Sequence, residues 1–167
     1  MKVYNFSQYS SLYNKFLSEL RDENIQKDSM RFRKNLERLG EISAYEISKT
    51  LQENSQVTKT PLGTSKTTIP SQNLVLATVL RAGLPLHNGL LKYYDNAENC
   101  FISAYRKHTS KEEFEVEIQY MASPNLTDKI VLLSDPMLAT GRSMVLAYKA
   151  LLKKGIPSKI FLEENYI

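Results

Sequence analysis

Nine consecutive residues, DPMLATGRS from Asp135 to Ser143, place a carboxylate five positions ahead of a Thr-Gly-Arg-Ser turn. An acid at that distance suits neighbouring hydroxyls. Thr140, Gly141, Arg142 and Ser143 enter a helical pattern, so their unpaired amides and the helix dipole favour an anion. A ribose 5-phosphate offers both features, vicinal hydroxyls to donate to Asp135 and a phosphate one sugar-length away. The commoner phosphate loop, GxxxxGK[ST], occurs nowhere in the chain. The same nine residues also fit an αβα turn in which Asp135 caps a helix and Thr140 and Ser143 satisfy backbone groups.

Asp135 needs an element to carry it. Ile130, Val131, Leu132, Leu133 and Ser134 form a near-continuous apolar run, the pattern of a strand buried on both faces of a parallel sheet. Asp135 then lies at the strand's carboxyl end, where open α/β sheets bind ligands. Two further runs repeat the layout. Leu74 to Leu80 precedes Arg81, Ala82 and Gly83, with a helix opening near Pro85. Cys100 to Tyr105 precedes Arg106. A parallel sheet would bring Arg81, Arg106 and Asp135 to one crevice, although either arginine taken alone reads as a strand-end surface charge. Phe114 to Met121 alternates apolar and polar residues, as a half-exposed strand or hairpin arm does, and is a candidate flap. A helix from about Gly141 ends at Lys153-Lys154 before Gly155, and Lys159 to Leu162 begins another strand.

Toward the N-terminus, Ser10 to Arg21 reads as a short helix. Asp28 or Ser29 caps a longer one running to about Gln52, with Phe32, Leu36, Leu39, Ile47 and Leu51 in an apolar stripe. Gly40 inside it implies a close neighbour, since glycine there costs about 1 kcal/mol relative to alanine. Lys59 to Asn73 reads as a polar connection. The 167 residues, 42% hydrophobic and 24% charged, fit one domain. Its expected parts are a helical segment at 1–55 and a parallel α/β core at 74–167, with the flap at about 107–128. No apolar stretch approaches the roughly 20 residues needed to span a bilayer, and no signal-peptide pattern opens the chain; the expectation is cytoplasmic. The single cysteine, Cys100, sits in the apolar CFISAY segment and is expected to pack as a small hydrophobe, excluding disulfides and cysteine-bound metal. A net charge of +4 suits a polyanionic small molecule as well as nucleic acid.

The combination VLRAG (Val79 to Gly83), AYR (Ala104 to Arg106) and DPMLATGRS resembles the uracil phosphoribosyltransferases. Supporting matches are LRD at Leu20 to Asp22, Phe32-Arg33, Tyr45-Glu46, TPLG at Thr60 to Gly63, and GLL at Gly89 to Leu91. The resemblance implies a type I phosphoribosyltransferase fold, a Rossmann-like parallel α/β core with N-terminal helices and a flap hairpin. It also implies conversion of uracil and 5-phosphoribosyl 1-diphosphate to UMP and diphosphate, in pyrimidine salvage. By position, Arg81 with Ala82 and Gly83, and Arg106, would bind the diphosphate. Asp135, Pro136, Met137, Leu138, Ala139, Thr140, Gly141, Arg142 and Ser143 would hold the ribose 5-phosphate. Asp135 and Arg106 would act on the reacting atoms. Mg²⁺ is expected on the substrate's diphosphate; Pro136 stands where the wider superfamily has a second acid, so no dedicated metal ligand is assigned. A homodimer is implied.

Three departures qualify the match. Arg142 replaces a usual glycine, which would restrict a torsion or add a phosphate contact. Lys107-His108 replace a usual Asp-Glu, and His108 reads as a solvated loop residue rather than a general base. Family members continue past the strand at Lys159 into a Gly-Asp-Ala segment that reads uracil, and no residue up to Ile167 matches it. The expectation is a C-terminally truncated chain that binds the phosphoribosyl donor but turns over uracil poorly, with the strand at Lys159 left as an edge. The alternative is a non-catalytic regulator that senses the donor or a nucleotide and binds RNA; ten tyrosines and the net charge permit it, but no aromatic-interleaved basic stripe is evident.

Overall fold

The computed structural model describes residues 2–71, 73–108, 114–137 and 140–164, with the backbone alone at 105–108 and 114–117. Unbroken apolar runs become the central strands. β3 (Leu74–Leu80) is buried along all but its last residue, and β6 (Ile130–Asp135) along its middle. They pair in parallel, Thr78 opposite Ser134. β4 (Glu98–His108) lies parallel to β3 on its other side, and β7 (Lys159–Glu164) lies parallel to β6 at the sheet's edge. β5 (Phe114–Ala122) is antiparallel to β4, so the sheet is mixed, in the order β5-β4-β3-β6-β7. Residues 109–113, the tip of the expected flap, lie outside the described residues.

Alternation along the strands divides the core. Val75, Ala77, Val79, Val131 and Leu133 pack with Met144, Ala147 and Leu151 of α4 (Arg142–Leu151). Leu74, Leu76 and Leu132 face the other way, onto α2 (Ser29–Ser48) and α3 (Leu84–Leu91). α1 (Leu12–Arg21) adds an outer cluster in which Tyr13, Leu17 and Leu20 meet Leu36, Leu39 and Leu86. The result is a sheet with helices on both faces.

Asp28 caps α2, its carboxylate accepting from the amides of Met30 and Arg31 at 3.0 Å. The helix ends at Ser48, short of Gln52. Gly40 has the neighbour its position implied: α3 crosses there, and a Cβ on Gly40 would lie 2.3 Å from the Leu86 carbonyl oxygen. Gly89 makes the reciprocal contact, 2.0 Å from the Glu37 carbonyl.

The segment Lys59 to Asn73 departs from its reading as a connection. Most of it belongs to an exposed antiparallel hairpin of β1 (Glu53–Thr60) and β2 (Gly63–Pro70). Neither face of the ribbon is buried along most of its length, so its Thr, Ser and Lys residues show no apolar alternation. The remaining signal was β-branched content, with Val57, Thr58, Thr64, Thr67, Thr68 and Ile69 all strand formers.

Candidate functional site

The chain leaves β3 through α3 to β4 on one side, then returns through β5 to β6 on the other side of β3. Loops after β3 and β6 therefore diverge to opposite faces of the sheet and open a crevice between them. This is the switch point at which open α/β sheets bind ligands.

The turn Arg81-Ala82-Gly83 follows β3 into that opening. Arg81 and Ala82 are exposed and Gly83 is buried as the first cap of α3. The Leu80–Arg81 peptide is cis. The Gly83 amide donates to the Val79 carbonyl at 3.1 Å, and the Gly83 carbonyl accepts from the His87 amide at 2.9 Å. Arg106 stands on β4 opposite Val116, beyond the point where β3 ends. Its side chain, like those of Lys107 and His108, lies outside the described residues.

Asp135 ends β6, half-buried. Burial holds its carboxyl above the usual range, and the Met137 amide, 3.5 Å from Oδ1, draws it partly back. Pro136 is buried, while Met137 and Thr140 are exposed; Leu138 and Ala139 lie outside the described residues. Gly141 caps α4 in the left-handed region, at φ +70°. The torsion in doubt at Arg142 is therefore an ordinary helical one, because the positive φ falls one residue earlier. Gly141 brings no side chain to cap α4, and a helix N-terminus of this kind favours an anion.

Two features of the crevice escaped the sequence reading. Glu164 on β7 pairs in register with Asp135 on β6. Burial raises its pKa, and the neighbouring Asp135 charge raises it further. The second feature is a buried polar chain beneath the crevice. Ser134 Oγ lies 2.9 Å from Thr78 Oγ1, which lies 2.9 Å from His87 Nδ1; His87 Nε2 lies 2.9 Å from Asn99 Oδ1. The signal was a lone hydroxyl inside each of two apolar strand runs, together with a histidine in the apolar helix LPLHNGLL.

Among the described residues no cluster of three or more His, Cys, Asp or Glu side chains is arranged to hold a metal ion. A separate cleft among the N-terminal helices, lined by Ser7, Asn14, Leu17, Ser18, Arg21 and Asp22, includes none of the strand-end residues. No helix among the described residues is long and apolar enough to cross a membrane. Cys100 is buried, and burial pushes its thiol pKa up.

The model of one protein family, described as uracil phosphoribosyltransferase, matches residues 8–163. A uracil phosphoribosyltransferase of Porphyromonas gingivalis is 52% identical over 162 residues, which cover 97% of this chain and 75% of that protein. One from Thermococcus gammatolerans is 36% identical over 163 residues, covering 96% and 70%. Among solved structures, an Aquifex aeolicus protein superposes with a TM-score of 0.81 at 29% identity, covering 93% of this chain and 73% of its own. A Staphylococcus aureus hypoxanthine phosphoribosyltransferase, at TM-score 0.55 and 16% identity, covers 79% of this chain and 62% of its own, and shares the fold alone.

Proposed function

The chain belongs to the uracil phosphoribosyltransferase family, with its type I phosphoribosyltransferase fold, and on that premise we propose that its crevice binds 5-phosphoribosyl 1-diphosphate for transfer to uracil. N1 of uracil attacks the anomeric carbon, the bond from that carbon to the diphosphate oxygen breaks, and diphosphate leaves with the electron pair. The N1 proton goes to solvent, and UMP results.

The observation that carries this reading is the meeting of Arg81 and Asp135 at the carboxyl ends of adjacent parallel strands, with the N-terminus of α4 behind them. Exchange at an anomeric carbon passes through an oxocarbenium-like state. Asp135, accepting from the ribose hydroxyls, stabilises positive charge developing in the ring. Arg81 and Arg106 fork onto the departing diphosphate and stabilise the opposite charge. The 5-phosphate sits on the amides between Thr140 and Ser143, with Arg142 at their edge. Mg²⁺ enters as part of the substrate, since it favours substrate phosphates plus one or two carboxylates. Asp135 and Glu164 side by side fit that demand better than a resident protein cage does.

No residue of this chain is assigned a role in reading the uracil base. A homodimer working in the cytoplasm completes the reading. Calorimetric titration with the donor and Mg²⁺, alongside an assay for UMP, tests it. Heat of donor binding is expected, and no heat overturns the donor site, while UMP formed from added uracil reports the transfer directly. Light scattering of the eluted protein checks the dimer, and salt-dependent RNA retention would mark an RNA-binding regulator instead of the enzyme.

A further inference from the structure

β3 and β6 deliver Arg81 and Asp135 to the crevice, and a hydrogen-bond chain starts just below it at Thr78 and Ser134 and runs deeper to Asn99, which pairs with Leu76. Asn99 is on β4, Thr78 on β3 and Ser134 on β6, with His87 of α3 inserted between Asn99 and Thr78. We propose that His87 is a positioning residue for the phosphoribosyl-donor crevice, fixing through Thr78 the turn that bears Arg81. The role rests on the donor-site reading above.

The direction of the chain follows from its end. Asn99 Oδ1 can only accept, so His87 Nε2 carries the ring proton and Nδ1 is an acceptor. Thr78 must then donate to Nδ1, and its oxygen accepts from Ser134 Oγ. Every member has its partner, with one tautomer of a neutral ring. Burial lowers the His87 pKa and so favours that neutral form, and Phe101 packs against the ring at 5.0 Å between centroids.

Thr78 converts this chain into a constraint on the site. The hydroxyl and the methyl of Thr78 share one Cβ and turn together about χ1, so holding the hydroxyl toward His87 and Ser134 also fixes where the methyl points. The methyl points at the turn: a Cβ on Gly83 would lie 2.5 Å from Thr78 Cγ2. His87 holds the same turn a second time, its own amide bonding the Gly83 carbonyl at 2.9 Å. At the other end of the chain Ser134 is the residue before Asp135. The diphosphate turn and the ribose-binding acid are thus tied to a single side-chain arrangement.

The test uses the 167-residue chain, its donor affinity by calorimetry with Mg²⁺ well below the melting temperature, and nitrogen-detected imidazole NMR. Only two histidines are present, so subtracting the His87→Phe spectrum isolates His87. The expected spectrum is a neutral Nε2–H ring from pH 6 to 8. His87→Phe keeps the ring packing but leaves the Thr78 hydroxyl held by Ser134 alone, and is expected to weaken donor binding about tenfold, ~1.4 kcal/mol. His87→Asn puts an acceptor where Nδ1 stood and restores most of the affinity; His87→Gln reaches Asn99 instead and does not. Thr78→Val reproduces the loss, and serves for the comparison should His87→Phe not fold. Wild-type affinity in folded His87→Phe or Thr78→Val, or an Nδ1–H tautomer, overturns the inference. Absence of donor binding by the wild type overturns the donor-site reading and this role with it, while the tautomer spectrum still reports on the chain itself.

Discussion

Replacing Glu163 with glutamine should remove a pH-dependent weakness from the fold. Glu163 lies on the edge strand β7 yet is only 6% exposed. Among the described residues, neither carboxyl oxygen, nor the nearby Ser43 hydroxyl, has a hydrogen bond of acceptable geometry. Burial pushes the carboxyl from an ordinary 4.5 to about 7, with Ser43 drawing it only partly back. Tyr13 and Tyr94 face the same charge, and burial together with Glu163 raises both phenols, Tyr94 to about 12. The folded state therefore holds a proton that the unfolded state releases. Stability from the protonated form is complete below pH 4.5 and is lost as pH rises through about 7. A carboxyl raised from 4.5 to about 7 corresponds to about 3 kcal/mol, most of which falls between pH 5 and 8.5. Urea unfolding of wild type and Glu163→Gln at both pH values isolates this group, because the phenols coupled to it titrate above this window. The variant should gain about 2 to 3 kcal/mol on the wild type between the two conditions. A stability difference that stays constant with pH refutes the buried, proton-binding carboxyl.

At the crevice, Arg81→Ala should weaken binding of the donor with Mg²⁺ by about 10- to 100-fold, the worth of lost charge-assisted hydrogen bonds, as read by calorimetry. Asp135→Asn keeps the shape but not the charge, and should weaken donor binding without lowering the melting temperature; an unchanged dissociation constant would count against its contact with the ribose. Gly89→Ala should cost about 3 kcal/mol in chemical denaturation, because the added methyl meets the Glu37 carbonyl across the α2–α3 crossing. Cys100 should resist a thiol reagent in the native protein and react once denaturant opens the sheet, since it is buried with its thiolate disfavoured.

Much of the core was legible because burial on both faces leaves an unmistakable composition. LVLATVL and IVLLSD appear as β3 and β6 at the positions their apolar runs mark. Asp28 before the long apolar stripe marked the start of α2, and Gly40 marked its crossing with α3. The β1–β2 hairpin was not legible, since a ribbon with two solvated faces has no apolar period to read. Glu163 was hidden for the opposite reason. An acid near the end of KIFLEE reads as a surface charge, and only the packing of β7 against the α2 side of the sheet buries it. Pairing across strands was equally out of reach: nothing local to β7 says that Glu164 stands beside Asp135.

The order of the strands links the crevice to the layer below it. Because β4, β3 and β6 are neighbours and parallel, residues paired in register fall into one row across the sheet. The upper row ends in charged groups that meet solvent. The row beneath must pass from apolar core to polar crevice, and here it holds Thr78 and Ser134, fully buried. Hydroxyls at that depth need partners. Another pair of aliphatic side chains would have filled the space with no such need, but without a preferred direction. A hydrogen-bonded row has one, set by the single proton of His87, and it therefore specifies where the loops above it begin. That is why the lone polar residues inside the two most apolar strands belong to the site rather than to the core.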